Sequence, residues 1–117
     1  MNGLGEVLRS FAAREGVEAA LLLSGDGLPI ESSAASPVEP ETIAALSATL
    51  GQYAARLGHG ARRGEFHTGV LEYERGLVVL ARVGAGDWLA VLARPDADVG
   101  PLLYDLRHHR PALAALL

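Results

Sequence analysis

The sequence contains neither cysteine nor lysine, and each absence excludes several kinds of chemistry. Without cysteine the chain has no disulfide, no thiol nucleophile and no cysteine metal site. Without lysine it has neither a lysine-dependent phosphate loop nor a Schiff-base lysine. No apolar run reaches the roughly 18 residues of a membrane-spanning helix, so we expect no membrane insertion. The first residues lack a basic start and an apolar run, so we expect no signal peptide and a cytoplasmic protein.

The residues that are present predict one small domain over residues 1–117. Half of the 117 residues are apolar, which is enough for one compact core. The net charge is −4, from 14 acidic residues against ten arginines. Because a nucleic-acid binder usually carries a basic excess, we expect no nucleic-acid partner.

Apolar spacing and turn residues predict the element order α-β-β-α-β-β-β-α. Apolar residues recur at helical spacing over 4–11, and Gly16 is expected to end that helix. Asp98 is assigned as the N-cap of a last helix that begins near Val99. Pro111 is expected to end or kink this helix. Strands are predicted at 19–23, 28–33, 65–73, 77–83 and 88–93, and a long helix at 41–57.

Strand composition predicts the order of the sheet. Strands 19–23, 77–83 and 88–93 are apolar on both faces, which is typical of central strands. Pro29 cannot donate a ladder hydrogen bond and strand 65–73 mixes polar with apolar residues, so those two strands are expected at the edges. Hairpins join the first strand to the second, and the third to the fourth and fifth, which leaves the order 2-1-5-4-3. The predicted fold class is α/β (α+β): a three-layer domain whose antiparallel sheet carries one helix on one face and two on the other.

The long helix carries three different stripes when it is placed on a helical wheel. We interpret the stripe of large apolar residues as the face that packs on the sheet. A polar stripe and a stripe of small residues lie beside it. The large stripe comprises Ile43, Leu46, Leu50, Tyr53 and Leu57, with Ala54 at its border; the polar stripe comprises Glu41, Thr42, Thr49, Gln52 and Arg56; the small stripe comprises Ala44, Ser47, Ala48, Gly51 and Ala55.

The small stripe has two interpretations. It is either ordinary alanine-rich helix or a contact between two helices across a two-fold axis. Gly51 favours the contact, because glycine inside a helix costs about 1 kcal/mol relative to alanine and usually has a packing reason. The edge strand 65–73 also needs covering, which pairing with its own copy would provide. The predicted dimer interface is Ala44, Ser47, Ala48, Gly51, Ala55, His67, Gly69 and Leu71, and Gly51→Leu is predicted to disrupt the dimer.

The remaining motifs carry little chemistry. Segment 58–64, GHGARRG, only faintly resembles a phosphate loop, and we interpret it as a helix end and connector. His108 and His109 are adjacent on a helix and do not share a face, so they predict no metal site. Ser24 and Asp26 are explained by a tight turn. We therefore assign no catalytic residue, no cofactor and no metal, and we expect the chain not to be an enzyme.

Three segments resemble the Roadblock/dynein light chain family in its bacterial, MglB-like form. They are 16–30, GVEAALLLSGDGLPI, then 76–80, GLVVL, and 88–92, WLAVL. The resemblance covers nearly the whole chain. It implies the same 2-1-5-4-3 sheet and a homodimer that joins through the second helix and third strand into one ten-stranded sheet. It also implies binding of a small Ras-like GTPase, as a regulator, such as a GTPase-activating protein, or as a scaffold.

The leading hypothesis is a non-enzymatic homodimer that binds a small Ras-like GTPase. One alternative is a homodimeric scaffold that binds no GTPase and docks a helix or peptide of another protein. A small-molecule sensor is the third, although no polar cluster converges on a cavity. The predicted partner surface is a polar platform beside the two-fold axis, formed by Glu41, Thr42, Thr49, Gln52, Arg56, Arg62 and Arg63.

Overall fold

Eight elements follow one another in the predicted order. The structure, a computed structural model, describes residues 3–35 and 37–117, so Met1 and Asn2 of the N-terminal start and Ser36 of the predicted loop lie outside it. None of the helices within these ranges is long and apolar enough to cross a membrane. The elements are α1 (Gly3–Ala12), β1 (Val17–Leu23), β2 (Pro29–Ala34), α2 (Pro40–Gly60), β3 (Thr68–Tyr73), β4 (Gly76–Val83), β5 (Asp87–Ala93) and α3 (Val99–Leu116).

The strands form one antiparallel sheet in the order β2-β1-β5-β4-β3, which confirms the predicted topology. The central strands β1, β4 and β5 are almost wholly buried. At the edges of the sheet, half-buried and exposed residues alternate along β2, and half of the residues of β3 are exposed. One row of paired residues shows the register across four strands: Ala19 pairs with Leu92, Leu92 with Val78, and Val78 with Leu71. Paired residues share a face, so each such row assigns its side chains to one side of the sheet.

The helices divide unequally between the two faces, as predicted. Leu8 of α1 and Leu106 of α3 pack with Val79 and Val91 in one core cluster. On the opposite face α2 packs alone, with Ala44 and other small residues against the sheet. The result is three layers, with two helices over one face of the sheet and one over the other.

Several boundaries differ from the prediction. Helix α1 ends at Ala12, and Gly16, at φ +89°, lies in the turn before β1 rather than at the helix end. Strand β3 begins at Thr68 instead of residue 65. Helix α3 continues through Pro111 to Leu116, so Pro111 does not end it. Leu113, 1% exposed, holds the turn after the proline against the core, which offsets the missing backbone hydrogen bond.

Replacing Asp98 with alanine is expected to lower the free energy of unfolding by about 1 kcal/mol. Asp98 caps α3 as predicted: its Oδ1 accepts a hydrogen bond from the backbone N–H of Gly100 at 3.3 Å. Urea denaturation would measure the loss. Asp98→Asn is the matched control, because asparagine keeps an acceptor oxygen, and its stability should stay near that of the wild type. An equal loss in both variants would assign the effect to charge rather than to capping.

Candidate dimer and partner interface

The orientation of α2 is the reverse of the predicted one. Ala44 is 0% exposed and Ala48 is 3% exposed, so the small stripe packs on the sheet. Leu46 and Leu57, assigned to the sheet from the helical wheel, are 66% and 71% exposed. The prediction that the large apolar stripe faces the sheet is therefore wrong for Leu46, Leu50, Tyr53 and Leu57. Ile43, at the start of the stripe, is partly buried and does pack against the core on this side.

Trp88 explains why small residues lie beneath α2. Its indole, at the start of β5, is 3% exposed and lies directly under Gly51. A Cβ added at Gly51 would lie 2.7 Å from the indole Cη2, closer than real Cβ contacts allow. The large side chain at this contact belongs to the sheet, and the helix leaves room for it because it has a glycine there. The small stripe therefore permits close approach of the chain's own sheet.

This arrangement corrects the helix part of the predicted dimer interface. Ala44, Ser47, Ala48 and Gly51 are buried within the chain and offer no surface to a second copy. Ala55 is half-buried and borders Trp88 in an open depression of about 500 Å³. None of the five small residues forms part of an outer face of the helix.

The outward side of α2 is instead apolar. Four large side chains stand exposed along about three turns of the helix, a surface we call the outer apolar face. It consists of Leu46, Leu50, Tyr53 and Leu57, at 66%, 40%, 61% and 71% exposure. Contiguous exposed apolar surface of this kind marks an interaction site more often than a solvent face.

The sheet beside α2 is also incompletely covered. Neighbouring strands lie roughly 4.8 Å apart, so five strands span about 20 Å, and a helix about 10 Å across covers only about half of them. Leu71, Val78 and Leu92 lie in one row on the α2 side and remain half-buried, and Tyr73 of the same face is 57% exposed. We call these four residues the open sheet face.

The strand part of the predicted interface lies at the free edge of β3. Gly69 and Leu71 are half-buried and pair with Leu80 and Val78, which places them on the α2 side of the sheet. His67 precedes the strand and is exposed, and its carbonyl accepts a hydrogen bond from the backbone N–H of Arg82 at 2.9 Å. Because β4 pairs with one edge of β3, the other edge has no strand beside it in this sheet. A role of these residues in a dimer stays a prediction.

The predicted polar platform is exposed in all its members. Gln52 Nε2 donates to the carbonyl of Gly25 at 3.5 Å, so this side of α2 faces the β1–β2 turn, away from the outer apolar face. The Arg56 guanidinium lies 5.4 Å from the ring centroid of Tyr53, where the polar and apolar surfaces meet. The structure leaves the following residues accessible: Glu41, Thr42, Thr49, Gln52, Arg56, Arg62 and Arg63.

Segment 58–64 ends a helix. Helix α2 runs through Gly60, and the backbone N–H groups of Arg62 and Arg63 donate to the carbonyls of His59 and Gly58 at 3.1 and 2.8 Å. These amides are occupied within the turn and form no phosphate cradle. Across residues 3–35 and 37–117, no three His, Asp or Glu side chains converge as metal ligands would.

Comparison with known proteins agrees with this architecture. The sequence model of the Roadblock/LC7 domain matches residues 3–93. A Roadblock/LC7 domain from Streptomyces avermitilis is 28% identical, with a TM-score of 0.79 and 97% of each chain covered. The gliding protein MglB from Thermus thermophilus is 22% identical, with a TM-score of 0.87, 97% of this chain and 87% of that chain covered. MglB from Myxococcus xanthus is 16% identical, with a TM-score of 0.88 and coverage of 97% and 93%. Among curated proteins, none matches.

Proposed function

We propose that this chain, which belongs to the Roadblock/LC7 domain family, forms a homodimer that binds a small Ras-like GTPase as a regulator or scaffold. It acts in the bacterial cytoplasm and has no catalytic activity of its own. The observation that carries the proposal is the free edge of β3 beside two apolar surfaces, the outer apolar face and the open sheet face. The free edge and the open sheet face adjoin at β3, and the outer apolar face belongs to the helix on that same side of the sheet.

A two-fold axis perpendicular to the sheet would cover all of them. Such an axis pairs the two β3 edges antiparallel and keeps both α2 helices on the same side of the joined sheet. Each outer apolar face then lies over the open sheet face of the other copy. The dimer interface we propose keeps His67, Gly69 and Leu71 from the sequence prediction. It replaces the small stripe of α2 with Leu46, Leu50, Tyr53 and Leu57.

The polar platform is the surface proposed for the GTPase. In the dimer it occurs twice, once on each α2, beside the helix pair at the axis. It carries charges of both signs, Glu41 at one end and Arg56, Arg62 and Arg63 at the other. These three arginines have no carboxylate within 4.0 Å in the described part of the chain, so they are free to meet acidic groups of a partner. Complementary charge of this kind gives an interface orientation and specificity.

We expect Arg56→Glu to reduce capture of the GTPase at least about tenfold while the dimer mass stays unchanged. The immobilised chain is incubated with lysate of the source organism, once with a GTP analogue and once with GDP. Recovery of a small GTPase in one nucleotide state supports the proposal. Arg107→Glu, on the exposed side of α3, is the matched control and should capture as well as the wild type. If GTPases present in the lysate are recovered in neither state, the chain is a scaffold without a GTPase partner.

A further inference from the structure

Arg110 is a half-buried cation of α3 that lies beside Thr68 of the edge strand β3. Its Nη2 donates to Thr68 Oγ1 at 3.5 Å, a long contact, and its buried Nε has no hydrogen-bond partner in the described part of the chain. No carboxylate lies within 4.0 Å of the guanidinium in residues 3–35 and 37–117. A buried N–H of a charged group without an acceptor costs free energy, so the site suits an added anion.

Arg110 lies near a second guanidinium group. It lines a depression of about 310 Å³ with a second guanidinium, that of Arg82, and with His67. The one acidic lining residue, Glu65, has a side chain 68% exposed and lies 3.5 Å from the His59 imidazole. Arg82 is held by the carbonyl of Ala85 at 2.9 Å and by the Trp88 ring at 5.2 Å. Of the two guanidinium groups, Arg110 is therefore the one that keeps a donor, Nε, without a partner among the described residues.

The proposed two-fold pairing of β3 determines what lies opposite Thr68. Thr68, Val70 and Glu72 pair with Ala81, Val79 and Leu77 of β4, so all three lie on the side of α3. A two-fold axis perpendicular to the sheet keeps every side chain on the same side of the joined sheet. One residue of β3 must therefore lie on the axis, opposite the same residue of the partner. If Val70 lies on the axis, the partner's Glu72 lies opposite Thr68. If Leu71 lies on the axis, the partner's Glu74, in the turn that follows β3, comes nearest to Thr68. Both central registers bring an acid to Arg110.

Apolar pairing selects between the two registers. With Val70 on the axis, this valine, 42% exposed, packs on the partner's Val70, and Gly69 lies opposite the partner's Leu71. With Leu71 on the axis, Val70 lies opposite the partner's Glu72, which sets an apolar side chain against a charge. Directly opposed side chains have Cβ atoms about 5 Å apart, within the reach of a glutamate and an arginine. The register with Val70 on the axis therefore gives suitable neighbours to the side chains on both faces of the β3 pair.

We propose that the partner's Glu72 completes the Arg110 site, so that its carboxylate accepts hydrogen bonds from this guanidinium and fixes the register of the β3 pair. The inference rests on the proposed homodimer. By symmetry the ion pair occurs twice. Arg110 lies in α3, outside residues 3–93 that the family model matches, whereas Glu72 lies inside them.

Sedimentation equilibrium of charge-reversal variants of the full chain tests the contact. Glu72→Arg and Arg110→Glu are each expected to raise the dimer dissociation constant about tenfold or more, and the double variant to restore it to within about threefold of the wild type. Glu74→Arg is the matched control and should leave the constant nearly unchanged. Circular dichroism identifies any variant that fails to fold, and Arg110→Gln then replaces Arg110→Glu.

Each other result has a defined meaning. If the wild-type chain is a monomer, the proposed dimer fails and the contact fails with it. If the wild type is a dimer and Glu72→Arg leaves its constant unchanged, the contact is overturned while the dimer stands. If Arg110→Glu is rescued by Glu74→Arg instead, Leu71 lies on the axis and the assignment to Glu72 is wrong.

Discussion

A variant with glutamate at both Leu46 and Leu50 is expected to be a monomer at concentrations where the wild-type chain is a dimer. Both side chains belong to the outer apolar face and are 66% and 40% exposed. Burial of a leucine side chain contributes about 1.5–3 kcal/mol, and the two-fold axis counts each position twice. Carboxylates would also be buried without partners, which costs more. We expect the dissociation constant, measured by analytical ultracentrifugation, to rise at least about a thousandfold.

Analytical ultracentrifugation of further glutamate variants distinguishes the observed orientation of α2 from the one predicted from the helical wheel. Thr49→Glu, on the polar side of the helix, should leave the dimer intact. Ala48→Glu should not give a folded protein at all, because Ala48 is 3% exposed against the sheet. The orientation predicted from the helical wheel requires the opposite outcome, a folded monomer for Ala48→Glu and an unfolded chain for Leu46→Glu. A folded Ala48→Glu monomer would overturn the interface proposed here.

Much of the fold was predictable because single residues can restrict the position that a strand takes in the sheet. Pro29 lacks an N–H group, so β2 had to lie at an edge. Strands that are apolar on both faces had to lie in the centre, and three hairpins then left one order. Asp98 was recognisable as an N-cap because the side-chain acceptor acts locally, within two residues of Gly100. Each of these inferences needed only local chemistry and chain connectivity.

The faces of α2 were not predictable from the helical wheel alone. A wheel shows that two stripes differ from the polar side, but it does not show which of them meets the sheet. The usual assignment puts the larger apolar side chains inward. Here Trp88 fills the layer from the sheet side, so only a small stripe fits above it. The large stripe is left outside, which is expected only if a second chain covers it.

Two features of the sequence did contain the missing information. Gly51 indicates a close approach, but the sequence alone does not show that the group approaching it is an indole rather than another helix. The count of helices was the second feature, since one helix cannot cover five strands and an open sheet face must remain on its side. Tyr73, Val78 and Leu92 were missed for this reason. Arg110 was missed because its relation to Thr68 spans 42 residues and depends on tertiary packing.

Gly51→Ala is expected to lower the free energy of unfolding by about 1–3 kcal/mol, although alanine is the better helix former. In an open helix interior the same change would stabilise by up to about 1 kcal/mol. The sign reverses because the new Cβ would lie 2.7 Å from two indole carbons of Trp88, a buried side chain that would have to shift to accept it. The larger Gly51→Leu change should prevent folding, so the loss of the dimer predicted from the sequence would follow from loss of the monomer fold.

A double-mutant cycle identifies the indole as the cause. Trp88→Leu removes the ring, and in that background Gly51→Ala should become neutral or stabilising while both single variants are destabilised. Since Trp88 is the one tryptophan, urea denaturation has to be followed by circular dichroism instead of fluorescence. If Gly51→Ala lowers the free energy of unfolding equally with and without the indole, contact with Trp88 is not the cause of the loss. The need for glycine at position 51 would then have a cause other than contact with the indole.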